Sequence, residues 1–244
     1  MGKFLSISLL LLALSAFQAC TKPAVAPDLG YDYFPLEIGS SRIYQVDSVI
    51  YDPNGQIRID TVSFQLKESI ADSYQDDTGL NWFRIERFER ETDQDPWQFH
   101  SISAASRDET RAFRKENNLQ FISFVFPQDI FAKWESTVFI DPLQEVVVAG
   151  EPLEMFKYWE SGFRSIDAPY TLGTQTYPST CEVFHAEFEN LIELRRVREV
   201  YAKDTGLIYR ELYILDTQII DGTIPWEIKG EKGFILRQSL IAIE

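Results

Sequence analysis

Between Thr176 and Leu215 the chain reads TYPSTCEVFHAEFENLIELRRVREVYAKDTGLIYRELYIL, three extended segments separated by two tight turns. Glu189-Asn190 divides the first pair, and Lys203-Asp204-Thr205-Gly206 divides the second, with Gly206 placed to take the positive φ of a hairpin bulge. Such a run commits its residues to an antiparallel sheet. The same alternation recurs along the chain, so the predicted fold class is all-β with minor α. The expectation is a single strongly curved antiparallel sheet, half-barrel or barrel-like, of about ten or more strands with one or two short helices.

An extended run is expected to start near Arg42, after a turn marked by Phe34-Pro35 and Gly39. Asp52-Pro53-Asn54-Gly55 signals a hairpin, because Pro presets φ and Asn-Gly tolerates positive φ. Ile57, Ile59, Val62, Phe64 and Leu66 alternate with polar residues as in a half-buried strand, and a phase slip at Thr61 predicts a bulge. A polar turn over Asp72 to Gly79 precedes strands at Trp82 to Phe88, Trp97 to Ile102, Arg111 to Arg114 and Leu119 to Phe126. Further strands are expected at Phe156 to Phe163 and Tyr170 to Leu172, parted by a turn ending at Pro169. Asp221-Gly222 and Lys229 to Gly233 bracket two short ones, before Phe234 to Ile243. Phe34-Pro35 before Arg42 and Phe126-Pro127 before Trp134 echo one another at the same spacing, a weak internal duplication.

The amino terminus specifies a compartment. Lys3 supplies a positive region, Phe4 to Ala16 an apolar one, and Ala19-Cys20 a small residue before cysteine, the pattern of a lipoprotein export signal over residues 1–19. The apolar run is too short for a bilayer core of ~30 Å, which needs ~20 helical residues. Cleavage leaves Cys20 as the lipid-attachment residue, a spacer from Thr21 to Gly30 that includes Pro23 and Pro27, and one β-rich domain over residues 31–244. The expected location is the cell envelope, as an outer-membrane lipoprotein. Thr21-Lys22-Pro23 carries no acidic pair of the kind that accompanies surface export, which favours the periplasmic face.

With Cys20 acylated, Cys181 is the remaining thiol, and its place in an alternating run reads as a small buried apolar residue. The net charge is −15, and outside Arg195-Arg196 and Arg198 no basic run occurs. Phosphate binding needs clustered cations, so nucleic acid is not an expected partner.

Tyr33-Phe34-Pro35-Leu36 with Gly39, Phe126-Pro127 with Trp134, and Val200-Tyr201-Ala202-Lys203 with Gly206-Leu207-Ile208-Tyr209 resemble motifs of uncharacterised Bacteroidota lipoproteins, a domain of unknown function. The likeness covers most of the mature chain and carries no assigned chemistry. Arg42 stands where that family usually has Trp, and Phe131 where it usually has Gly. Leu191 to Ala202 fits both a helix face and a strand, and the resemblance implies a strand, with a bulge near Arg195 to Val197.

No metal-ligand spacing, phosphate-binding glycine loop or Gly-x-Ser-x-Gly elbow is present. No catalytic residue, metal or cofactor is therefore expected, and a hydrolase is the least favoured class. A Ser-His-carboxylate group assembled in three dimensions stays open, with His100 or His185 as its base. Glu91 to Pro96 and Asp76-Asp77 lack the glycine and the closing glutamate of a calcium loop, and read as solvated turns. Glu182, Glu187, Glu193 and Glu199 alternate with basic residues, which predicts cross-strand charge pairs on a wet face. The aromatic residues, 18 Phe, 11 Tyr and 5 Trp, exceed what one buried face requires. Bulky neighbours such as Trp82-Phe83, Phe124-Val125-Phe126 and Tyr158-Trp159 imply two covered faces or a concave pocket. The candidate ligand-binding set is Trp82, Phe83, Phe124, Phe126, Trp134, Tyr158 and Trp159, for an apolar or amphipathic small molecule. The alternative is a structural or interaction module that docks an envelope protein.

Overall fold

Long hairpins dominate the computed structural model, which describes residues 28–244. The export signal, Cys20 and most of the spacer lie outside the described residues. The strands are β1 (Ser41–Tyr51), β2 (Ile59–Gln75), β3 (Asn81–Arg90), β4 (Gln98–Arg107), β5 (Arg111–Glu116), β6 (Leu119–Val125), β7 (Lys133–Trp134), β8 (Val146–Val148), β9 (Glu151–Leu153), β10 (Ser161–Leu172), β11 (Gln175–Glu189), β12 (Glu193–Ala202), β13 (Gly206–Asp216) and β14 (Lys232–Ile243). A 3₁₀ turn at Tyr31–Tyr33 and a four-residue helix α1 (Trp226–Lys229) are the helical elements among the described residues.

Twelve strands form one antiparallel sheet in the order β6-β5-β4-β3-β2-β1-β14-β13-β12-β11-β10-β7, while β8 and β9 pair separately. Two meanders are thus stitched together where β1 meets β14. Asp47 lies opposite Arg237, and Tyr51 opposite Gly233, in that central ladder. Gly233 has φ 114°, and a Cβ there would lie 2.0 Å from the Ile214 carbonyl oxygen, so glycine is the residue this junction accepts.

The sheet coils until its ends approach without closing into a barrel. Phe124 on edge strand β6 packs 5.1 Å from both Phe163 on β10 and Tyr201 on β12, ring centroid to centroid. Tyr33, Phe34, Ile85, Phe126, Cys181 and Val183 complete that core. At the seam the Ile122 amide donates to the Ser136 carbonyl at 2.9 Å, and the Trp134 indole donates to the Ile122 carbonyl at 3.0 Å. These bonds tack the edges together, but no β6–β7 ladder follows.

The predicted central meander is present with its two turns, and Gly206 has φ 86°. Within the 191–202 segment Leu191 and Ile192 belong to the preceding turn, and Glu193–Ala202 is strand β12. Its bulge lies on the partner: register slips between Phe184 and Ala186 opposite Arg198 and Val197, so His185 is the extra residue. Thr61 makes no bulge, since β1 and β2 stay in register from Ser41↔Ser69 to Tyr51↔Ile59. Ile59 and Val62 remain exposed, because β2 projects beyond Arg90, the end of β3, and gains no neighbour on that side. Neither Asn54 nor Gly55 takes positive φ, and the Asp52 carboxylate instead accepts from both of their amides in a longer loop. The polar turn is shorter than expected, because β2 continues to Gln75.

Phe156 to Glu160 is a turn rather than a strand. Tyr158 has φ 64° there, and the Trp159 indole donates back to the Met155 carbonyl at 2.8 Å. Pro169 lies within β10, between register shifts at Ala168 and Tyr170, an irregular stretch that tolerates a residue without an amide hydrogen. Of the two short strands expected before Phe234, the Thr223 to Ile228 stretch is loop and α1 instead. Asp28, at the end of the predicted spacer, pairs with Lys203 at 2.8 Å.

Candidate functional site

Alternation along β5, β12 and β13 sends Arg114 and Glu116, Glu199, and Arg210 to the concave side of the sheet, where its coiling brings them together. The bulge on β11 adds His185, since an extra residue re-aims the side chain that carries it. The outcome is a continuous chain of paired charges in the interior. Glu199 Oε2 accepts from His185 Nε2 at 2.9 Å and from the Tyr201 hydroxyl at 2.5 Å, while its Oε1 accepts from Arg210 Nε at 2.6 Å. Arg210 also reaches Glu116 at 3.2 Å, Glu116 lies 2.8 Å from Arg114, and Arg114 lies 3.0 Å from Glu68. Arg87 ends the chain, 3.3 Å from Glu68.

Each ion is held by its neighbours. Burial pushes the pKa of Glu116 up, but Arg210, Arg114 and Arg87 outweigh it and bring it to about 2. For Glu199 burial is likewise overcome, by Arg210 and His185, and its pKa lies well below the carboxylate range. Burial and the Glu199 charge raise the Tyr201 hydroxyl far above the usual tyrosine value, so it acts as a donor. Three carboxylates (Glu68, Glu116, Glu199) balance three guanidinium groups (Arg87, Arg114, Arg210), which is how such charges persist indoors.

One wall of a cavity of about 390 Å³ is built on this chain. Arg114, Glu116, His185, Glu199 and Arg210 share the lining with Leu119, Phe121, Met155, Phe156, Trp159 and Leu212. Its aromatic part comes from β6 and from the turn at Phe156, where the sequence predicts a strand. Phe121, Phe156 and Trp159 form a contiguous aromatic surface with centroids about 6 Å apart. Ser123, Ser136 and Glu145 also line it, and the buried Ser136 hydroxyl has no hydrogen-bond partner.

Of the seven aromatic candidates, Trp159 lines this cavity, stacked on His185 with centroids 6.1 Å apart. Phe124 and Phe126 are buried in the main core, with Phe83 packed against it. Trp82 is buried in a separate cluster with Phe113 and Ile122, so Trp82 and Phe83 fill two covered faces of β3. Trp134 packs at the seam, against both clusters. Tyr158 is half exposed, stacked 3.6 Å from Phe188, in a shallow outer groove. The charged half of the site was missed. Glu199 was read with Glu182, Glu187 and Glu193 as wet-face pairing, yet it is buried, and Arg195 is also fully buried. Glu187, by contrast, does pair with Arg164 in solvent.

Ser161, His185 and Glu199 form a linked trio, with Ser161 Oγ 3.1 Å from His185 Nδ1. In the serine-hydrolase arrangement the serine addresses Nε2 and the acid Nδ1, the reverse of this order. Ser161 is also fully buried and lies off the cavity wall, whereas Glu199 is already engaged by Arg210 and Tyr201. The trio acts as a positioning relay that fixes the His185 ring. Burial pushes the Cys181 thiol up to about 12, which makes it a core group and a poor nucleophile. No group of three or more metal-ligating side chains occurs among the described residues.

Fold and site together define a strongly curved, open antiparallel sheet whose concavity holds a half-apolar, half-ionic cavity. Two solved structures resemble it over most of their length. A candidate lipoprotein of Parabacteroides distasonis aligns with TM-score 0.40 and 10% identity, over 87% of this chain and 98% of that one. A candidate exported protein of Bacteroides fragilis with a YmcC-like fold aligns with TM-score 0.41 and 10% identity, over 86% and 98%. No protein-family model matches the chain, and no curated protein is significantly similar to it.

Proposed function

We propose that this chain is a lipid-anchored envelope protein, on the periplasmic side of the outer membrane, that binds a small amphipathic ligand without transforming it. The anchor rests on the sequence ending at Ala19-Cys20. Among the described residues no helix is long and apolar enough to cross a membrane. The observation that carries the binding reading is the 390 Å³ cavity whose lining combines an aromatic surface with a chain of paired charges. Its volume lies within the ~300–1,000 Å³ of small-molecule sites.

Native mass spectrometry of the mature full chain, prepared without detergent, tests this. Wild type carries a noncovalent adduct, or acquires one on adding 1-monododecanoylglycerol, and Leu212→Trp, which fills the cavity, loses it while keeping the same strand-type circular dichroism. Bare wild-type protein that takes up no aliphatic probe would overturn the reading. A second reading, docking of an envelope protein, has one supporting observation: Ile130, Phe131, Val138, Phe139 and Leu143 are exposed within one segment, Phe131 to 85%.

A further inference from the structure

We propose that the cavity selects an uncharged single-chain amphiphile, whose head is an alcohol or amide that donates and accepts hydrogen bonds, over fatty carboxylates and amines. This rests on the cavity being the binding site and concerns which head group it accepts.

The charges on the polar wall are already spent on one another. Arg210 is shared by Glu116 and Glu199, and Arg114 by Glu68 and Glu116. A carboxylate entering the site would be desolvated against guanidinium groups whose charge is cancelled, so its burial would go uncompensated. It would also meet an excess of negative charge, since the lining holds Glu116, Glu145 and Glu199 against Arg114 and Arg210. The net charge of −15 on the chain opposes its approach from solution. An ammonium fares little better, because Glu116 and Glu199 have no free oxygen to offer without breaking a buried pair, and Glu145, the remaining lining carboxylate, is exposed, so an ion pair with it stays in water and is worth little.

Neutral partners, by contrast, are free. The Ser136 hydroxyl is buried at the cavity wall with no hydrogen-bond partner, a state that costs stability and calls for a compensating group. Ser123 shares the lining, and its residue is also buried. A hydroxyl or amide head can satisfy Ser136, once that side chain rotates toward the cavity, without disturbing any ion pair, while its alkyl chain lies along Phe121, Phe156 and Trp159.

Isothermal titration calorimetry of the mature full chain at pH 7 would compare 1-monododecanoylglycerol, dodecanoate and dodecylamine below their micellar concentrations. The neutral amphiphile should bind at least tenfold tighter than either charged one. Ser136→Ala should weaken it about fivefold, the effect of one neutral hydrogen bond, and leave the charged probes unchanged. Equal or tighter binding of dodecanoate or dodecylamine would overturn the selectivity while sparing the cavity as a binding site. An undiminished affinity in Ser136→Ala would overturn the placement of the head. Failure of all three probes to bind would remove the binding reading itself, and this inference with it.

Discussion

Arg210 is the residue on which the interior charges turn, because it bridges Glu116 and Glu199 and so joins the His185 end of the network to Arg114 and Glu68. Replacing it with methionine keeps the volume but leaves Glu199 with no guanidinium and Glu116 with Arg114 alone, which should cost about 3–5 kcal/mol in chemical denaturation. The pH dependence has a definite sign. Glu116 is depressed from 4.5 to about 2 and Glu199 is depressed further, so both bind protons more readily unfolded than folded. Their contribution is complete above about pH 4.5 and is lost as pH falls through the folded values. Wild type should therefore hold its fold until strongly acid pH. Arg210→Met should show an acid midpoint displaced upward, and an unmoved midpoint would show that the network is not what holds the acid limit.

Strands β6 and β7 decide how far the sheet curls, although β7 is only two residues long. Its leverage comes from Trp134, which packs against both covered faces and ties its indole to the Ile122 carbonyl. Trp134→Ala should cost about 3–5 kcal/mol through the lost packing and the cavity left behind. In hydrogen exchange the Ile122 amide, bonded to Ser136 across the seam, should lose protection well before amides of β12 and β13 do. Uniform loss of protection throughout would mean the seam is not an independent element. The bulge at His185 works at the same scale, since one extra residue sets both the β11 register and the side chain that meets Glu199.

At the scale of the whole molecule the testable property is attachment. Cys20, the expected acylation site, lies outside the described residues, which begin at Asp28. Fractionation of the native host should find wild type with the envelope membrane and Cys20→Ala in the soluble fraction, with intact mass showing the acyl adduct on the former alone. Retention of Cys20→Ala on membranes would favour a protein partner, for which the exposed Phe131 and Phe139 are the obvious contacts.

Local pattern carried most strands: alternation and turn chemistry located β1 to β6, β10, β11, β13 and β14 and the positive φ at Gly206, while β12 was assigned through the family resemblance. These depend on neighbours two to four residues apart, so a single sequence displays them. Where spacing alone was used, at Thr61, Phe156 to Glu160 and Thr223 to Ile228, the outcome differed, because register and end effects depend on which strand lies alongside. The polar half of the site had no sequence signature at all. Glu199 on a strand of alternating charges looks like any solvated carboxylate, and it is internal only because the sheet coils Arg114 and Glu116 of β5 onto Arg210 of β13. Sequence determined that there would be a sheet with more aromatic groups than one face can bury. The curvature that turned its concave side into a paired-charge cavity was decided in three dimensions, where contacts such as Glu116 to Arg210 join residues far apart in the chain.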